Sequence, residues 1–263
     1  MNNFYNNLMI SSTKMRKYLK SDKRDFKIFP IKFTASESNS INNLSITEFD
    51  NFDYYGNLNL IDFKNFFSKI GENDLKNTKI IENIIKKVTN KVLSSFDMDH
   101  FWISIRTSLT DKYFDIPRWH YDGTYFSNVD NQAKFAFVLK GPGTLFIKKS
   151  KKVIESYNKI HDKSRKEFRE ILKKNKIDSN EVQLKNDEKY RPIFAKELSK
   201  YKIRQVKNNQ GVIFWGGRDI NSKALHSEPK IDQHRLFISI LPGTKEMIKE
   251  WQNVPIIQYN KLV

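Results

Sequence analysis

The apolar positions change their period near residue 100. Before it they recur, where they recur at all, at helical spacing. Asp62 can cap a short helix whose Phe63, Phe66, Phe67 and Ile70 share one face, with Gly71 as its stop. Ile80, Ile81, Ile84, Ile85, Val88, Val92 and Phe96 then form a stripe that predicts a helix over 73–96, its apolar face turned to a sheet. Residues 1–60 are polar and rich in Asn and Ser, with short apolar pieces such as 26–33, and read as extended structure and loops.

From His100 onward the chain reads as strands. Residues 101–109, 134–139, 144–147, 211–215 and 236–241 are rich in β-branched and aromatic side chains, and Gly or Pro follows the second, fourth and fifth of them. Short strands between such turns predict a sandwich or barrel. Segment 148–207 breaks the pattern: Val153, Tyr157, Ile160, Phe168 and Leu172 fall on one helical face with charge elsewhere. The strand pattern resumes after it, so it reads as a basic helical insertion rather than a domain. The expected fold class is α+β with a mainly β core: 1–99 as extended and helical support, 100–263 as the core, with the insertion at about 148–207.

Composition narrows the chemistry. The 263 residues fit one large domain, and the absence of Cys removes disulfides, thiolate metal sites and thiol nucleophiles. No run approaches the ~18 apolar residues of a membrane helix, and the first twenty residues lack the apolar stretch of a secretory signal, so the expectation is an intracellular protein without a membrane span. The net charge is +17, and segment 148–207, with 20 Lys+Arg against 9 Asp+Glu, holds +11 of it. Such a surface attracts polyanions, nucleic acid among them. A coding bias toward Lys and Asn accounts for the same excess.

Candidate chemistry centres on residues 117–123, Pro-Arg-Trp-His-Tyr-Asp-Gly. In a strand, residues two apart point the same way, so His120 and Asp122 aim at one spot while Trp119 and Tyr121 face away. His226 follows the strand and Gly-Gly turn at 211–217, and Arg235 stands nine residues further on, at the head of the last strand. Two imidazoles and a carboxylate on one face of an iron leave three positions open, the arrangement of non-haem Fe(II) oxygenases, where a bidentate 2-oxo acid and then dioxygen bind.

The order HxD, Gly-turn hairpin, strand, His, then Arg nine residues on resembles the Fe(II)/2-oxoglutarate-dependent oxygenases over roughly residues 100–243. The resemblance implies a double-stranded β-helix (jelly-roll) core and an oxygenase of hydroxylase or demethylase type. It implies His120, Asp122 and His226 as iron ligands and Arg235 as the partner of the distal carboxylate of 2-oxoglutarate, through its planar fork. Ser239, on the same strand face, would add a hydrogen bond, and Arg106 would hold cosubstrate or substrate unless it sits on a solvent-facing edge. The chain departs from the pattern in the long interval between its two candidate histidine ligands, which the insertion takes up. The retained Asp122 speaks against the halogenase branch.

His234 rivals His226 as the distal ligand, but that choice would displace Arg235 from its role; His100 and His161 read as structural. Arg118 shares the face of His120 and would pair with Asp122 or an acidic substrate. Trp102, Tyr113, Tyr125 and Phe126 line a cleft or pack the core, and Trp215 reads as core. Two rival readings stand beside the oxygenase. One is a non-catalytic, basic nucleic-acid-binding β protein using the insertion; the other is a cupin-type metalloprotein without 2-oxoglutarate. No phosphate-binding loop, dinucleotide fingerprint or nucleophile elbow is present. The primary substrate stays open.

Overall fold

Two antiparallel sheets carry the described chain, which in this computed structural model comprises residues 10–21, 25–110, 115–126, 129–174, 179–218 and 220–252. The elements are α1 (Ser12–Leu19), β1 (Phe26–Pro30), α2 (Ala35–Asn42), β2 (Asn51–Asn57), α3 (Lys64–Lys69), α4 (Leu75–Phe96), β3 (His100–Ser108), β4 (His120–Tyr121), β5 (Asn131–Lys140), β6 (Leu145–Ile147), α5 (Lys151–Lys174), α6 (Ser179–Leu198), β7 (Ile203–Gln205), β8 (Gln210–Gly217), β9 (Leu225–Ser227), β10 (Arg235–Gly243) and α7 (Lys245–Gln252). The larger sheet runs β1-β8-β5-β10-β3-β2 and the smaller β4-β9-β6-β7. The class is therefore mixed, with a mostly antiparallel sheet core.

The predicted stripe explains one face of the larger sheet. Ile81, Ile84, Ile85, Val88 and Val92 of α4 are fully buried against Phe101, Ile103, Ile105, Phe135, Leu236, Ile238 and Ile240. Each fully buried aliphatic side chain contributes about 1.5–3 kcal/mol, so this layer anchors the fold. The helix starts at Leu75 behind an Asp74 cap, and it ends at Asp97, which takes the left-handed conformation with φ 60°. Before α3, the Asp62 carboxylate accepts the Lys64 N–H at 2.9 Å, although Phe63 occupies the cap position itself.

Residues 1–60 are less extended than expected. Both α1 and α2 lie within them, each opened by a hydroxyl cap: Ser11 accepts from Lys14 N–H, and Thr34 forms a reciprocal capping box with Glu37. Their apolar faces are too sparse to show a period. Met15 is the buried residue of α1, so both helices owe their stability to caps and to docking near α4.

The other face of the larger sheet meets the smaller sheet. Ala136, Val212 and Phe214 pack there against Phe146, Val206 and Ala224. The helical pair α5–α6, between β6 and β7, covers the smaller sheet's outer face: Val153, Tyr157 and Leu198 pack on Trp119, Ile147 and Leu225, with Tyr121 at the margin. Among the described residues no helix is long and apolar enough to cross a membrane.

Candidate metal centre

Register brings the two histidines together. Antiparallel β4 and β9 set His120 opposite His226, and β6 sets Phe146 on the other side of His226. The two imidazole centroids are 4.3 Å apart. β4 is two residues long, so Asp122 lies just past its end rather than within a strand as expected. Its carboxylate still turns back to the same spot: Asp122 Oδ1 is 3.8 Å from His120 Nε2 and 3.6 Å from His226 Nε2. Ligand atoms of all three residues lie within 4.8 Å of one another. Trp119 and Tyr121 face the helical pair, as the alternation required.

The backbone around Asp122 is fixed from β8. Gly217 N–H donates to Asp122 O at 3.3 Å, and a side chain at Gly216 would meet Gly123 O at 2.7 Å and Asp122 Cβ at 3.1 Å. Gly216 and Gly217, expected as a turn, are instead paired with Gln132 and Asn131 at the end of β8, and their missing side chains leave room for the Asp122 turn.

Main-chain carbonyls assign the tautomers. His120 Nδ1 lies 2.8 Å from Arg118 O and His226 Nδ1 lies 3.0 Å from Ala224 O. A carbonyl only accepts, so each Nδ1 carries a proton, and Nε2 is the ring nitrogen that each histidine turns toward Asp122. His226 is held neutral by burial and then by the neighbouring His120, which push it down to about 4. Burial alone would raise the Asp122 carboxyl, but the Lys134 ammonium and then the two imidazoles outweigh it and hold Asp122 well below the usual carboxylate range. Two imidazole Nε2 atoms and one carboxylate oxygen therefore converge. That donor set fits a borderline divalent cation.

Arg235 lies at the start of β10, 5% exposed, with its guanidinium 4.5 Å from the Phe237 ring centroid. Its Nε donates to Pro142 O at 2.8 Å and an Nη reaches Thr144 Oγ1 at 3.5 Å. Burial pulls it down to about 10, so it stays charged at neutral pH. Ser239 and Arg106 share one sheet face with Arg235, but neither bonds to it: Ser239 stands opposite Ser104 and Ala136, and Arg106 stands opposite Phe237. Arg106 is exposed and donates to Ser104 Oγ at 3.3 Å.

Several expectations change. Arg118 pairs with Glu228 at 2.6 Å and not with Asp122, whose second oxygen is already taken. His234 is exposed and stands outside the cluster. His100 pairs with Asp99, and His161 stacks on Tyr157. Trp102 and Tyr125 form an aromatic cluster with Tyr55 and Trp251, with buried Phe126 beside it, and Trp215 is buried. Tyr113 lies outside the described residues.

Lys134 is the residue that the sequence reading passed over. Its Nζ is 2.6 Å from Asp122 Oδ2 and donates to the Tyr125 hydroxyl at 2.9 Å. A signal existed: Lys134 alternates with Ala136 and Val138, while Ala133, Phe135 and Phe137 fill the other face of the same strand. A lysine in a strand apolar on both faces requires a buried acid.

No protein-family model matches this sequence, and no curated protein matches it. Among solved structures it is similar to the Kdo hydroxylase KdoO, described as a non-heme Fe(II) alphaketoglutarate dependent dioxygenase. That likeness has 11% identity and a TM-score of 0.46, over 91% of this chain and 87% of that one. It is also similar to a Pseudomonas putida prolyl-4-hydroxylase, with 7% identity and a TM-score of 0.41 over 89% and 99% of the two chains. A viral collagen prolyl hydroxylase from Paramecium Bursaria Chlorella virus-1 follows, with 8% identity and a TM-score of 0.33 over 84% and 96%.

Proposed function

We propose that the chain is an Fe(II)- and 2-oxoglutarate-dependent oxygenase of hydroxylase or demethylase type. In this reading residues 100–263 form a double-stranded β-helix core with a basic helical insertion, and 1–99 support it. His120, Asp122 and His226 hold the iron. The observation that carries the reading is the convergence of the two Nε2 atoms and Asp122 Oδ1, with both Nδ1 atoms turned away to main-chain carbonyls. Bound iron supplies the activation of dioxygen, with 2-oxoglutarate as the co-reductant.

The chain's own residues divide the remaining work. The Arg118 and Ala224 carbonyls orient the two imidazoles, and Phe146 and Phe214 pack on His226 and keep water from its inner side. Arg235 is a buried cation whose hydrogen bonds go to neutral oxygens, and it has no ion-pair partner among the described residues. Such a group favours an incoming carboxylate, and the distal carboxylate of 2-oxoglutarate fits its remaining donors. Ser239 and Arg106, on the same sheet face, extend this surface toward cosubstrate or substrate.

The test is succinate formation by purified protein with Fe(II), ascorbate and 2-oxoglutarate. Iron-dependent turnover is expected even without a primary substrate, and His120→Ala or His226→Ala should abolish it. Arg235→Ala should raise the KM for 2-oxoglutarate by about 30-fold or more, the usual cost of removing one member of a buried charge pair. Absence of iron-dependent succinate with the three ligands intact refutes the assignment. An unchanged affinity for 2-oxoglutarate in Arg235→Ala points instead to a cupin-type metalloprotein.

A further inference from the structure

We infer that Lys134, seated by the Tyr125 hydroxyl, is a positioning residue that limits Asp122 to a single-oxygen metal ligand; the inference rests on the metal reading above. The two oxygens of Asp122 have different surroundings. Oδ1 faces both imidazoles at 3.8 and 3.6 Å, while Oδ2 faces the Lys134 ammonium at 2.6 Å. The ammonium is itself caged. It donates to Tyr125 Oη at 2.9 Å and lies 5.0 Å from the ring centroids of both Tyr125 and Phe214. Its side chain is 15% exposed and that of Asp122 is 11% exposed, so little water is at hand to replace the pair.

The backbone below cannot slide to release it. Lys134 sits in β5, which pairs with β8 on one side and β10 on the other, directly opposite Phe214. Tyr125 is held in turn, since Gln132 Oε1 accepts the N–H groups of Tyr125 and Phe126 at 2.9 and 3.3 Å. Gly217 N–H fixes the Asp122 carbonyl.

The consequence is a matter of counting. A carboxylate can bind a metal through one oxygen or two. With one, a six-coordinate centre keeps three open positions; with two, it keeps two. A chelating 2-oxo acid and dioxygen together need three. Chelation by Asp122 would have to draw Oδ2 off the ammonium, so Lys134 keeps the third position open.

The test uses Mn(II) as the probe on the full chain and reads water-proton relaxation rather than turnover. Three metal-bound waters are expected for the wild type. In Lys134→Met the freed oxygen chelates, and relaxivity per bound Mn(II) should fall by about one third as three waters become two. Lys134→Arg should restore it. Equal relaxivity in wild type and Lys134→Met, both with Mn(II) bound, overturns the inference and leaves the metal reading intact. A wild-type value of two waters overturns it without any variant, even if Lys134→Met fails to fold. Mn(II) binding no tighter in the wild type than in His226→Ala refutes the metal reading itself.

Discussion

Gly216 lacks a side chain where Asp122 needs the space. A Cβ built there meets the Gly123 carbonyl oxygen at 2.7 Å, and that oxygen is backbone, so the end of β8 or the Asp122 turn must shift. Gly123 itself has nothing within 4 Å of such a Cβ. The two positions therefore make a matched pair. Gly216→Ala should weaken metal binding by about 10–100-fold, as lost support of a ligand typically does. Gly123→Ala should leave it unchanged. Metal titration of both variants, beside their thermal unfolding, checks this; equal affinities would show that the Asp122 turn tolerates displacement.

At the scale of elements, α2 depends on its first turn. Burial alone would raise the Glu37 carboxyl, but the Thr34 N–H, the Lys87 ammonium at 3.0 Å and the Thr34 hydroxyl outweigh it, and the group is held below its ordinary value. A carboxyl lowered in the folded state contributes stability above its unfolded value of 4.5, and loses it as pH falls through the folded value. Glu37→Gln should thus cost about 1 kcal/mol at neutral pH. That difference should shrink progressively as pH is lowered below 4.5, as denaturant unfolding over a series of acidic pH values would show. At the other end of α4, Asp97→Gly should stabilise by about 0.5–1 kcal/mol, because φ 60° strains any residue with a Cβ. An unchanged melting temperature would contradict this.

These same elements mark how far the sequence could be read. The α4 stripe and the long strands were legible because each has one dominant period and a core to meet it. His120, Asp122 and His226 were legible because residue type, strand context and order coincide, although β4 is only two residues long. α1 and α2 were illegible as helices because caps and docking stabilise them, and neither leaves a period. Lys134 escaped because its partner Asp122 is on another element, and pairing across elements appears only once the sheets are formed. The Arg118–Glu228 pair was missed for the same reason.

For the whole molecule, the segment that carries most of the charge is also a structural cover. α5 has nine basic and four acidic residues, whereas α6 has four of each, so within the helical pair the excess sits on α5. Its inner side buries Val153, Tyr157 and Ile160 over the sheet that holds both histidines. Its outer side exposes Arg165, Lys166, Arg169 and Lys173 around an open hollow of about 500 Å³. Removing the segment therefore cannot separate polyanion binding from the metal site. Deletion of 151–198 uncovers Trp119, Ile147 and Leu225, and should loosen β4 and β9 and abolish metal binding. Arg165→Gln, Arg169→Gln and Lys173→Gln combined touch only the outer side. That variant should keep wild-type metal affinity and elute from immobilised heparin at lower salt, since each lost phosphate-type contact reduces the logarithmic salt slope by about 0.9. A deletion variant that kept full metal affinity would show that β4 and β9 hold their register without the cover. A triple variant that lost metal affinity would show that the outer charges reach the site.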